Sequence, residues 1–188
     1  MYKRQFLVGL FAGAWAAGKF IDQIKDKLKA YAFLEIASGI YALLFVAFNG
    51  VVGDLSFAIK NATAGVPFFQ TLSVAGWISL LVLIPTAAMG ATLPLLVDFL
   101  VKRKGAFSKQ LSLFYGVNTL GAAIGALLAG FIIVEFLGVS KGIALSGLVN
   151  LGIGVAAFLL LKNSSFSPPL SRQSGDKRAI PQLSFHPR

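Results

Sequence analysis

Cysteine is absent, and histidine occurs once, at His186 near the C-terminal end. Disulfides, thiolate nucleophiles and Cys-ligated zinc are therefore excluded. A His/carboxylate metal site or a Ser-His-Asp triad has almost nothing to be built from. Charge is also scarce: 13% of the 188 residues are Asp, Glu, Lys or Arg, about half the share that soluble domains carry. None of these four types lies between Lys60 and Asp98, between Lys109 and Glu135, or between Lys141 and Lys162.

What fills those gaps is apolar. The chain is 56% hydrophobic with a mean hydropathy of +0.78, and runs of 18 or more apolar residues are long enough to cross a hydrocarbon core about 30 Å thick. The sequence therefore predicts an all-α, polytopic membrane helix bundle in contact with the lipid bilayer. Five spans are expected, over about Gln5–Phe20, Ala30–Phe48, Leu72–Val101, Leu111–Glu135 and Gly142–Leu161. The first, FLVGLFAGAWAAG, is short, follows Lys3 and Arg4, and ends in small residues, so a signal peptide competes there with an ordinary span.

The formal charge of +10 would point to nucleic acid in a soluble protein. Here the charges cluster just outside the apolar runs and no aromatic-basic surface for bases accompanies them, so nucleic acid is not an expected partner. Thirteen of the 17 Lys and Arg fall on one side of the expected membrane, in the loop from Lys19 to Lys29, the loop from Lys102 to Lys109, and the tail. The positive-inside rule makes that side cytoplasmic in a cell (inner or plasma) membrane and puts the N-terminus outside. Residues 162–188, with four of the seven prolines and no helical periodicity, read as a disordered basic cytoplasmic tail or linker after a bundle spanning 1–161. KFIDQIKDKLK carries Phe20, Ile24 and Leu28 on one face, as either a short helix on a charged lipid surface or a solvated connector.

Polar residues inside the apolar runs are the candidates for function. Glu35 is the one acid well inside such a run; it reads as a proton or substrate group or as an interfacial ion pair with cytoplasmic lysines. Asp98 lies one turn before Lys102, the spacing of an ion pair at a helix end, and Glu135 reads as wet. Pro85 and Pro94 interrupt the third span, freeing carbonyls near Leu81 and Gly90 that need partners from Thr86, Thr92, water or a neighbouring helix. Broken helices of this kind often line transport paths. Asn118 and Thr119 are the strongly polar residues early in the fourth span, as interhelical glue or as path residues.

In YGVNTLGAAIGALLAGF, Gly121, Gly125 and Ala129 recur every four residues, with Ala122, Ala126 and Gly130 one position on. In lipid, such smooth stripes let backbones approach closely, so the fourth span is expected to be the packing hub. Gly152, Gly154 and Ala157 echo a dinucleotide-binding pattern, but no strand precedes them, and no cofactor is expected. Asn61-Ala-Thr63 is a glycosylation sequon in an expected outer loop.

MGATLPLL (Met89–Leu96) and LFYGVNTLGAAIGALLAGF (Leu113–Phe131) resemble the membrane part of bacterial spermidine synthase-like proteins, in which a major-facilitator-like helix bundle is fused to an aminopropyltransferase domain. GAWAAGKFIDQIKDKLKAYAFLEIASGIYALL (Gly13–Leu44) is similar to that family's second and third helices and their loop, and Gly18 and Asp22 match a degraded major-facilitator loop pattern. The resemblance covers about 150 residues and implies a half bundle lacking its first helix. The family's catalytic domain, which binds decarboxylated S-adenosylmethionine, has no counterpart here, so no catalytic residue carries over. Three readings follow from the residues and the resemblance: the membrane domain of a spermidine synthase-like protein, anchoring or feeding polyamine chemistry performed by another domain or chain; a small transporter or half-transporter for a cationic or small organic substrate, working as a homo-oligomer; or a truncated gene fragment.

Overall fold

A computed structural model describes residues 2–104 and 107–163, so the tail expected from residue 162 lies, from 164 onward, outside the described residues. The elements are α1 (Tyr2–Phe20), a 3-10 turn (Ile21–Gln23), α2 (Lys27–Ala47), α3 (Asn49–Ala62), α4 (Pro67–Lys104), α5 (Phe107–Leu128), a π-helical turn (Ala129–Ile133) and α6 (Val134–Asn163). All are helical. Three stretches are long and apolar enough to cross a membrane, Lys27–Ala47, Pro67–Phe99 and Ser112–Leu161. Of the five expected spans, the first does not reach this standard, and the last two merge into one 50-residue stretch.

That stretch would measure about 75 Å if straight, more than twice the hydrocarbon thickness. Gly138 interrupts it, with φ 76° and ψ 169°, a backbone conformation that side-chain-bearing residues avoid. A Cβ on Gly142 would lie 3.0 Å from Ile133 Cγ2, although nine residues along a straight helix separate atoms by about 13 Å. The chain thus bends sharply at Gly138, where a gap between spans is expected.

The connector after α1 is not one amphipathic surface helix. It breaks into the 3-10 turn and a cap, in which the Asp26 carboxylate accepts a hydrogen bond from the Lys29 amide at 3.2 Å. This satisfies one of the orphan donors at the start of α2. The outer loop expected after the second span is instead largely α3. Only Val52, Ser56, Ile59 and Thr63 are partly covered there, a helical 4-3-4 spacing facing α4. Trp77 Nε1 donates to Ser56 Oγ at 3.0 Å, and Gln70 donates to the Lys60 carbonyl at 3.0 Å, fastening α3 onto α4.

Inside and outside are inverted relative to a water-soluble protein. The buried apolar residues are Ala17, Ala32, Ala157 and Leu95, while Phe11 (71%), Phe33 (70%) and Phe136 (78%) are exposed. Large apolar side chains facing outward from apolar helices are a lipid-contacting surface; small residues inside let backbones meet. Two couples of helices use this device. Along α1 and α4, Gly9 and Gly13 meet Thr86 and Ala87, and Gly90 meets the Leu10 backbone; the end of α1 leads to Lys27, which pairs with Asp98 near the end of α4, so the two run parallel. Along α2 and α6, a Cβ on Gly39 would lie 2.7 Å from the Gly147 carbonyl oxygen and one on Gly154 2.6 Å from Ile36, so these two run antiparallel.

The fourth-span stripe plays no such part. Gly121, Ala122, Gly125, Ala126, Ala129 and Gly130 are all exposed, and added Cβ atoms at the three glycines would meet nothing within 4 Å. Among the described residues, close packing is centred on the α1–α4 and α2–α6 couples, not on α5. A smooth stripe permits backbone approach but does not supply the opposing helix.

Candidate functional site

Between the two couples, α2 and α4 face each other with side chains rather than backbones. A cavity of about 690 Å³ lies there, also reached by α3, α5 and α6. Its volume falls within the roughly 300–1,000 Å³ of small-molecule sites. Glu35, Pro85, Thr92 and Asn118, four of the residues singled out from sequence, line it together. Pro94 is half-buried in α4 and Thr119 is exposed on α5; neither is a lining residue.

Glu35 comes from α2, which begins at Lys27, three residues earlier than expected. Eight residues at 1.5 Å each place it about 12 Å from that helix end. Tyr31 lies one turn before it on α2, and both side chains line the cavity. The interfacial ion pair with lysines is not formed among the described residues. Lys27 Nζ sits 3.3 Å from Asp98 of α4 and 3.1 Å from the Ile24 carbonyl, and Lys29 Nζ sits 3.2 Å from Asp26.

Asp98 therefore bridges helices, joining the end of α4 to the start of α2. The side chain of Lys102, its expected partner, lies outside the described residues. Glu135 is exposed, as its position at the end of a span suggests.

The α4 wall of the cavity follows from its prolines. Pro85 has no N–H for the Leu81 carbonyl one turn back, and the Tyr41 hydroxyl of α2 donates to that oxygen at 2.7 Å. The freed group is thus satisfied by a neighbouring helix. Thr86 and Thr92 serve other carbonyls, donating to Val82 and Met89 at 2.8 Å each. Four of the cavity's hydroxyls, on Tyr41, Ser56, Thr86 and Thr92, are thereby committed to helix carbonyls.

Sequence reasoning missed Tyr31, Ser38, Tyr41 and Asn150 as lining residues. Tyrosine and serine are unremarked in membrane helices, but Asn150 is the only amide side chain in the run 142–161 and could have been found on that ground. The antiparallel contacts of Gly39 with Gly147 and of Ile36 with Gly154 put Asn150 near the level of Glu35. Gly18, with open space around it in the last turn of α1, and exposed Asp22 in the 3-10 turn lie away from the cavity, and nothing at Gly18 demands glycine. Among the described residues, no group of His, Cys, Asp and Glu is placed to hold a metal ion.

No family model, curated protein or solved structure matches the sequence. The site is therefore interpreted on its own chemistry.

Proposed function

We propose that the chain is a solute-handling membrane module, of the kind a small transporter or half-transporter uses, with the cavity between α2 and α4 as its binding site. One observation carries this reading: the isolated polar residues of separate apolar runs, Glu35, Thr92 and Asn118, converge with the Pro85 break on a single cavity. Independent packing requirements would scatter them. The clustering of thirteen basic residues supports placing the 3-10 turn and the α4–α5 junction in the cytoplasm of a cell-membrane protein.

The resemblance to spermidine synthase-like membrane parts supports a related role, in which the same cavity serves a catalytic domain. All three stretches that carry the resemblance supply lining residues to this cavity: Met89, Thr92, Leu93 and Leu96 from the first, Phe114 and Asn118 from the second, and Glu35 and Tyr41 among those from the third. Both roles need a cavity that solutes can enter.

The absence of cysteine makes this directly testable. Ser38→Cys places a thiol on the cavity and Phe33→Cys one on the exposed apolar face. In reconstituted vesicles, a water-soluble methanethiosulfonate reagent is expected to modify position 38 and spare position 33. A thiol at 38 unreactive from both sides of the membrane overturns the reading.

A further inference from the structure

The lining residues narrow what the cavity takes. Among the described residues Glu35 is the only Asp, Glu, Lys, Arg or His that lines it: α3, α4, α5 and α6 contribute none, and Tyr31 and Tyr41 are the other titratable groups on α2. The nearest cations along α2, Lys27 and Lys29, are occupied by Asp98 and Asp26. When Glu35 is ionised, the cavity therefore carries a single negative charge, with no cation among the described lining residues to match it. Placing an unmatched charge in a low-dielectric site is strongly disfavoured, and a ligand cation removes that penalty.

The rest of the wall limits the ligand further. With four hydroxyls bonded to helix carbonyls, the polar groups left to greet a ligand are Glu35 with Tyr31, Ser38, and the amides of Asn118 and Asn150. The apolar lining includes Phe45 on α2 and Ile78, Leu81, Val82 and Leu93 on α4. This is one charged end and one apolar wall in a volume large enough for a drug-sized molecule.

Resting on the ligand-site reading above, we propose that the cavity binds amphiphilic organic monocations, with the cationic centre beside Glu35 and the apolar body against α4. A linear polyamine is the wrong match. Its several charges would meet one carboxylate, leaving the others uncompensated, and its short methylene segments would not fill the α4 wall.

The test uses the full chain in nanodiscs, with tritiated tetraphenylphosphonium as probe and empty discs as background. Saturable binding is expected, weakened about tenfold or more in Glu35→Gln and restored towards wild type in Glu35→Asp, while excess spermidine displaces none of the probe. Binding no greater than to empty discs, equal binding to Glu35→Gln, or displacement by spermidine overturns the proposal. Failure of Glu35→Asp to restore binding overturns it as well, because a folded carboxylate variant retains the charge. Ser38→Cys modification separates the two levels. A reactive thiol without probe binding removes the monocation assignment and leaves the ligand site, whereas an unreactive thiol removes both.

Discussion

The Tyr41 hydroxyl donates a 2.7 Å hydrogen bond to the Leu81 carbonyl, the oxygen that Pro85 leaves without its helical donor. A break in α4 is thus matched by a side chain on α2, and both residues line the cavity. The bond joins the α1–α4 couple to the α2–α6 couple.

Tyr41→Phe removes this donor and is expected to lower stability by about 1 kcal/mol, in the range of neutral hydrogen bonds in proteins and membranes. Pro85→Ala returns an N–H to the Leu81 carbonyl. In that background the same Tyr41 substitution is expected to cost less. A double-mutant cycle read by unfolding in mixed micelles measures the coupling; additive effects would show that the two residues do not share the carbonyl.

Small residues divide into those that meet another helix and those that do not. Gly13→Leu and Gly39→Leu are expected to broaden or abolish the monodisperse peak in detergent, since even a Cβ at either position would overlap the Ala87 backbone or the Gly147 carbonyl. Gly125→Leu is expected to leave the folded chain intact, with a thermal midpoint close to wild type, because that position faces open space. The reverse order of sensitivities would reassign the packing hub to α5.

The two tryptophans report separately on lipid contact. Trp15 is 56% exposed on α1, whereas Trp77 is half-buried with its indole N–H on Ser56. Brominated acyl chains are expected to quench the Trp77→Phe variant, which keeps Trp15, more strongly than Trp15→Phe, which keeps Trp77. Equal quenching would argue against the outward apolar face as the lipid surface on α1.

The all-helical fold, with helices long and apolar enough to cross a membrane, was legible because long uncharged runs leave few alternatives. Glu35, Pro85, Thr92 and Asn118 were legible for a related reason: a polar group or proline stands out where nearly everything else is apolar. Tyr31 and Tyr41 were not, since an aromatic ring in such a run looks like lipid-facing bulk until its hydroxyl is located. The Gly121–Gly125–Ala129 stripe has the same spacing as Gly9–Gly13–Ala17, yet only the latter is buried against a neighbour. Spacing describes one surface, and packing requires two. Helix α3 escaped notice because Gly50, Gly53 and Asp54 dilute a stripe that only Val52, Ser56 and Ile59 define.

The inverted arrangement of small residues has a mechanical consequence. Where backbones touch, in the α1–α4 and α2–α6 couples, sliding or tilting would drive peptide groups into one another, so each couple behaves as a stiff rod. Between the rods, α2 and α4 are joined by side chains that can rotate. The Tyr41–Leu81 bond and the Lys27–Asp98 pair fasten this seam at two heights, about 25 Å apart along α4 at 1.5 Å per residue. The motion left to the two rods is therefore a rocking of one against the other, and the space whose shape it changes is the one that holds Glu35.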